Sequence, residues 1–332
     1  MMVEFMTSIA LLFSTLLMVP LTTAQLENFT QLAGNDPKHA LELYPKYLAK
    51  LDEQHVEMQV ALHLDALLAA MNAHSWSAFV TITQSLKEAQ LQDILAGKRF
   101  KLLTRVGVAY RYNNQLEQAK RHYQCALGLA NSDLELATLK VNLAIVFRLL
   151  EQPAMAFQLI DSIDSGQLTT RVKAGYSVIR GNILLSLHRF DNAVTSFELA
   201  HRLYIELNNQ QSRIDVTRNI LGAALASKQL EAYAKYRASY VDEIRQYSPK
   251  SQDYLTWLDI ISNSMQTGSL TEQDEIFLRQ QVSSLIELGY KEPVKAHLHN
   301  INAMYLYPND VTGRKGAQAL PENLGKPWCP SL

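Results

Sequence analysis

Apolar residues recur at three- and four-residue steps along most of the chain, the period that gathers side chains onto one face of an α-helix. The pattern is sharpest over residues 100–133, FKLLTRVGVAYRYNNQLEQAKRHYQCALGLANSD. Gly107 and Tyr110 share a face of one predicted helix, and Ala119, Tyr123 and Ala126 share a face of a second. Asn113-Asn114-Gln115 between them predicts a turn, because Asn tolerates the backbone angles of a helix exit. Small residues facing each other let two helix axes approach, with the aromatic rings filling the space beside the contact. One such hairpin cannot bury its apolar face alone, so the pattern demands neighbours.

The neighbours are visible as an internal repeat. A step of 37 residues carries Gly107 to Ala144 and then Gly181, and a further 41 reaches Gly222. The same steps carry Ala119 to Ala156, Ala193 and Ala234, Tyr110 to Phe147, Leu184 and Leu225, and Ala126 to Ile163, Ala200 and Val241. Small residues stay small and bulky ones stay mostly bulky, as a stacked array requires. The best-matched positions are Gly107, Tyr110, Ala119, Tyr123 and Ala126, then Gly181, Phe190, Ala193, Phe197 and Ala200. They resemble the tetratricopeptide repeat family, in a longer and degenerate form of the usual repeat of about 34 residues. Lys140, Ser177 and Arg218 depart from the large apolar residue that the family often places early in its first helix. The resemblance implies an all-α, right-handed α-α superhelix of about five to seven hairpins.

Outside the core repeats, at residues 100–248, the helical pattern continues less regularly. Asp36-Pro37 predicts a helix start, Asp capping the free amides and Pro suiting the first turn; Pro45 is expected to kink or restart that helix. Longer periodic stretches at Gln54–Ala73 and Trp76–Ala89, within a degenerate N-terminal region at 25–99, place Ala66 and Ala78 one 41-residue step before Gly107 and Ala119. After Val241 the pattern weakens into two helices around Gly268, Tyr254–Met265 and Glu272–Leu288, and a last helix from Glu292-Pro293 through Leu298. This region, 249–306, is expected to cap the array. From residue 307 to 332 Pro and Gly cluster, predicting an extended tail.

Composition narrows the class. Lys plus Arg is 31 against 32 for Asp plus Glu, so no charge excess points to nucleic acid or an anionic membrane. Gly (13) and Pro (10) are scarce and 48% of residues are hydrophobic, which favours a helix-rich protein over a β-sandwich or a disordered chain. The N-terminal MMVEFMTSIALLFSTLLMVPLTTAQ holds an apolar run from Ile9 to Val19 and small Thr22 and Ala24. It resembles a secretory signal peptide cleaved after Ala24, although no Lys or Arg precedes the run. The expected location is therefore the periplasm or the exterior of a bacterium, with membrane attachment only if the segment stays uncleaved.

Candidate chemistry is thin. His297-x-His299 would suit a metal on a strand, but a helix turns the two rings apart. Gly325-Lys326 is followed by Pro327, which has no amide hydrogen for a phosphate. Neither a Gly-x-Ser-x-Gly elbow nor a His-Glu-x-x-His helix occurs. No catalysis, cofactor or metal is expected. Only Cys125 and Cys329 are present. A buried inert thiol is the default for Cys125; in an oxidising compartment a Cys125–Cys329 bridge would instead pin the tail to the repeats.

The surface is left to carry function. In a superhelix of hairpins the first helices line the concave groove, so their outward residues are the candidate contacts for a protein or peptide partner. These are Lys101, Arg105, Val108, Arg111 and Tyr112, then Asn142, Ile145 and Arg148, then Asn182 and Asn219. Lys101 and Arg105, one turn apart, would hold a carboxylate or a peptide carbonyl, and Tyr112 would add a flat wall; solvated charges are the alternative, as are helix-tying hydrogen bonds for Asn142 and Asn219. Some tetratricopeptide proteins clamp a C-terminal carboxylate with Lys and Asn on the preceding repeat, where His63 and Leu67 stand here, so that clamp is not expected. The resemblance also implies a second possibility, a stand-alone periplasmic sensor, since similar exported repeats serve as sensor segments in bacterial signalling.

Overall fold

The computed structural model describes residues 21–248, 251–309 and 319–329. The run Ile9–Val19 lies outside them. Among the described residues every regular element is helical, with no strand, and no helix is long and apolar enough to cross a membrane. The chain divides after Lys98 into two units.

In the first unit, α1 (Thr23–Asn35), α2 (Pro37–Leu48) and α4 (Trp76–Ser85) all pack on α3 (Val56–Asn72), followed by the short α5 (Gln92–Ala96). The α3 helix is apolar nearly all round, as a helix enclosed on several sides must be. Asp36 caps α2 through His39 N–H, and Pro45 is carried inside the helix rather than breaking it. Buried polar groups on α3 are bonded: Thr30 donates to Asp65 at 2.6 Å, and the Tyr44 hydroxyl lies 2.6 Å from His63 Nδ1. Thr22 caps α1 in a reciprocal box with Gln25. The expected cleavage point after Ala24 therefore falls inside the first turn of a capped helix.

The second unit is a series of consecutive hairpins: α6 (Arg99–Tyr112) with α7 (Leu116–Leu127), α8 (Asp133–Leu149) with α9 (Pro153–Asp161), α10 (Thr170–Ser186) with α11 (Phe190–Glu206), and α12 (Gln210–Ala226) with α13 (Leu230–Tyr247). A further pair, α14 (Gln252–Thr267) and α15 (Glu272–Leu285), precedes a wide turn at Ile286–Tyr290 and α16 (Lys291–Asn300). The left-handed Gly268 ends α14.

Each hairpin turns through the same device. A residue with positive φ follows the first helix at Asn114, Glu151, His188 and Lys228, and the next amide reaches back five residues to a carbonyl. Gln115 N–H bonds Tyr110 O, Gln152 bonds Phe147, Arg189 bonds Leu184, and Gln229 bonds Ala224, at 2.7 to 2.9 Å. This is the Schellman closure, and it satisfies carbonyls that the helix end leaves open. His74 with Ser75→Ala70 repeats it in the first unit.

These turns correct the register of the last repeat. His188 to Lys228 is 40 residues, so the structural equivalent of Leu184 is Ala224, not Leu225, and that of Ala193 is Tyr233, not Ala234. Tyr233 is buried and Ala234 is exposed. Leu221, rather than Gly222, stands where Gly107 and Gly181 stand. The consequence is chemical: a Cβ on Gly107 would lie 2.5 Å from Tyr123 Cε1, and one on Gly181 2.5 Å from Phe197 Cε1, each ring on the partner helix of its own hairpin. Gly222 instead faces the Tyr254 hydroxyl and Pro293, from α14 and α16. The His74-to-Asn114 step is also 40, so Leu67 and Phe79, both fully buried, replace the expected Ala66 and Ala78.

Because α13 lacks the small face, polar bonds help join it to α14. Arg237 Nε and Nη2 bond the two oxygens of Asp259 at 2.8 and 2.6 Å, and the Tyr233 hydroxyl donates to Asp259 Oδ1 at 2.6 Å. Burial works against the Asp259 charge, but the Arg237 and Tyr233 bonds outweigh it and hold the carboxyl below its ordinary range. Asp259→Asn is expected to cost about 1 kcal/mol in chemical denaturation, since charge-assisted bonds exceed neutral ones by roughly that amount. Adding Arg237→Gln should cost little more, because both changes remove the same bond.

Candidate protein-binding groove

The first helices of successive hairpins touch, α6 on α8 and α8 on α10. Their sequences set their starts: Ser132 caps α8 through Glu135 N–H, with Asp133 and Glu135 in the first turn, and Thr169 caps α10. Between α8 and α10 lies a groove of about 400 Å³, lined by Val141 and Asn142 on one side, by Val172, Gly175 and Ile179 on the other, and flanked by Tyr204. Its aliphatic side chains are only half-buried, and Arg171 is exposed at the rim.

Of the candidate contacts, Asn142 alone lines this groove, and its amide donates to Thr138 O at 2.9 Å on its own helix rather than tying two helices together. Lys101 is exposed and Arg105 half-buried on α6, away from the groove lining. The Arg111 guanidinium lies over the Tyr112 ring at 4.8 Å from its centre, so those two pair with each other. Val108, Ile145, Arg148, Asn182 and Asn219 are half-buried on their first helices and line none of the groove. The charged residues of α6 and the aliphatic residues of α8 and α10 are thus separate surfaces, and only the second forms this groove. Val141, Val172 and Ile179 are apolar side chains at helical spacing, a pattern that does not separate a groove lining from a core face.

The stretch of first helices beyond the groove is covered by the chain itself. The α16 helix packs on α12 and also reaches α10. His297 is fully buried, 2.8 Å from Gly222 O through Nε2 and accepting the Trp257 indole N–H at Nδ1 over 3.2 Å. This pattern fixes the neutral tautomer with hydrogen on Nε2, and burial lowers the ring's pKa to about 4. Asn300 donates to Leu225 O and Ala226 O, closing the end of α12. Lys291 reaches Glu151 at 2.6 Å. His299 points the other way, to the surface. The two histidines of the pair thus have separate fates, and among the described residues no three His, Cys, Asp or Glu side chains gather as a metal site would need.

A second cavity of about 510 Å³ at the start of α8 includes Asp133, Lys140 and Asp164. Lys140 Nζ already donates to Ser162 O there at 3.3 Å.

The sequence matches no protein-family model, and it matches no curated protein. The groove is therefore interpreted on its own geometry.

Proposed function

We propose that this chain is a non-catalytic scaffold of the tetratricopeptide type, a right-handed superhelix that binds a protein partner through the groove between α8 and α10. The observation that carries the reading is the half-exposed aliphatic lining on the first helices of two consecutive hairpins. Gly107 against Tyr123 and Gly181 against Phe197 support the family resemblance, since each small residue admits the ring of its own hairpin's second helix. Arg171 at the rim favours a partner segment with an acidic residue beside its apolar contacts. Export to a periplasm or cell exterior fits the Cys125–Cys329 disulfide, because such bonds persist in oxidising compartments.

The test is Arg171→Glu with Val172→Asp, since neither side chain belongs to the core that Val141 and Ile179 pack against. Arg171 is exposed and Val172 half-buried, so the melting temperature should hold within a few degrees while the partner recovered from a periplasmic extract by the wild-type chain is lost. Equal loss of fold and binding would make the groove structural. A second reading, the stand-alone sensor, rests on the groove's volume, which falls in the range of small-ligand sites. A thermal-shift screen in which a small apolar compound stabilises the wild type but not the double variant would favour it.

A further inference from the structure

The C-terminal segment returns to the first hairpin of the second unit and lies there as a bound peptide would. Gln115 reads the backbone of Leu320 in both directions: its amide donates to Leu320 O at 2.9 Å, and its oxygen accepts Leu320 N–H at 2.7 Å. The Tyr110 hydroxyl donates to Pro321 O and accepts Leu324 N–H at 3.2 Å. Leu320, Leu324 and Trp328, at four-residue intervals, are only 2%, 1% and 3% exposed. Gly325 sits so close over His122 and Leu103 that a Cβ would strike the His122 ring, at 2.5 Å from Cδ2. The disulfide from Cys329 to Cys125 on α7 closes the arrangement, with Cα atoms 6.1 Å apart. The tail expected to be extended thus ends in a docked segment, and of the two expectations for Cys125 the bridge to Cys329 holds rather than the inert thiol.

Backbone hydrogen bonds from two side chains, apolar anchors at even spacing and a glycine at the closest approach are the features of peptide recognition rather than of a packed core. We propose that the face of α6 and α7 bearing Leu103, Tyr110, Gln115 and His122 is a peptide-binding surface, occupied by residues 320–329 and opened when the Cys125–Cys329 bond is reduced. The partner it fits is a turn-forming segment with two leucines four residues apart and an aromatic residue four further on, which ends as this one does in a single 3₁₀ turn. Cys329 is buried and Cys125 half-buried, which makes Cys125 the side of the bond for an external dithiol to attack. A thiolate of that dithiol attacks Cys125 sulfur and expels the Cys329 thiolate. The second thiol then displaces Cys125, so two electrons and two protons pass to the chain and the dithiol leaves as a disulfide. While the bond is closed, the tethered segment outcompetes any free peptide through its effective concentration. This surface is separate from the α8–α10 groove, so either assignment can fail alone.

The test uses the full chain and a fluorescent synthetic peptide of sequence LPENLGKPW. Gly325→Val with Cys329→Ser releases the segment without touching α6 or α7. Saturable binding to this variant, none to the oxidised wild type, and about tenfold weaker binding after Gln115→Ala are the expected results. Absence of binding to a variant with wild-type helicity would overturn the proposal. Hydrogen exchange on the wild type gives a second measurement independent of the variant's folding. After dithiothreitol, the Leu320 and Leu324 amides should exchange at least tenfold faster while those of α8 to α15 do not change. Unchanged protection at 320–329, or loosening of all the helices together, would show the segment to be a structural staple.

Discussion

Gly181→Leu is expected to cost about 3 kcal/mol, at the upper end of what overpacking a core does. The first added carbon would lie 2.5 to 2.8 Å from three atoms of the Phe197 ring, and the ring is fully buried with no open space to turn into. The hairpin must splay, which separates α10 from α11 and breaks the packing of α10 against α9 and of α11 against α12. Helix propensity acts the other way, since replacing Gly in a helix interior gains roughly 0.5–1 kcal/mol, so the measured loss understates the clash. Gly181→Ala separates the two effects. It should destabilise on its own and become neutral or favourable when Phe197→Leu shortens the opposing ring, a coupling a double-mutant cycle in urea would detect. An unchanged melting curve for Gly181→Leu would mean that the two helices do not nest at this point.

The same geometry explains how far the sequence could be followed. Hairpins whose small residue meets an aromatic ring on their own second helix, α6–α7 and α10–α11, were legible because both halves of the contact lie within one repeat. The α12–α13 pair was misaligned by one residue. Gly222 is small for another reason, the approach of Tyr254 and Pro293, and spacing alone cannot say which neighbour a glycine admits. The better marker was the residue with positive φ, but Glu151, His188 and Lys228 take that conformation without the Gly or Asn that would announce it. At the candidate site, charge drew attention to Lys101 and Arg105, whereas the groove is made of aliphatic side chains that a periodic sequence assigns to the core. The return of α16 onto α12 has no local signal, and that of residues 320–329 onto α6 and α7 is signalled only by the two cysteines, whose expected alternative, a bridge pinning the tail to the repeats, is the one found. Both depend on contacts between residues far apart in the chain, such as Asn300 with Leu225 and Leu320 with Gln115.

Acid should unfold this protein early, and His297 should account for a measurable share of that. Its ring is neutral in the fold because burial lowers its pKa to about 4, against an ordinary value of 6.5. Above pH 6.5 the ring is neutral in both states, and its stabilising contribution is complete. As the pH falls from 6.5 towards 4, the unfolded chain takes up a proton that the folded chain refuses, so stability drains away across that window. The loss, about 1.4 kcal/mol per pKa unit, comes to about 3 kcal/mol by pH 4. Protonation would place hydrogen on Nδ1, where the Trp257 indole N–H already points, and the ring would then have two donors facing a single acceptor, Gly222 O. His297→Gln keeps the neutral pattern, with its amide able to donate to Gly222 O and its oxygen able to accept from Trp257, and does not titrate. Urea denaturation should find the variant close to wild type at pH 7.5, with a loss between pH 6.5 and 4 smaller by about 3 kcal/mol. His63 and His201, both also lowered to about 4, and His122, lowered by burial, are present in both proteins, so they steepen both curves and cancel in the difference. Parallel acid limbs would show that His297 binds its proton equally in both states, and so that Gly222 and Trp257 do not hold it neutral.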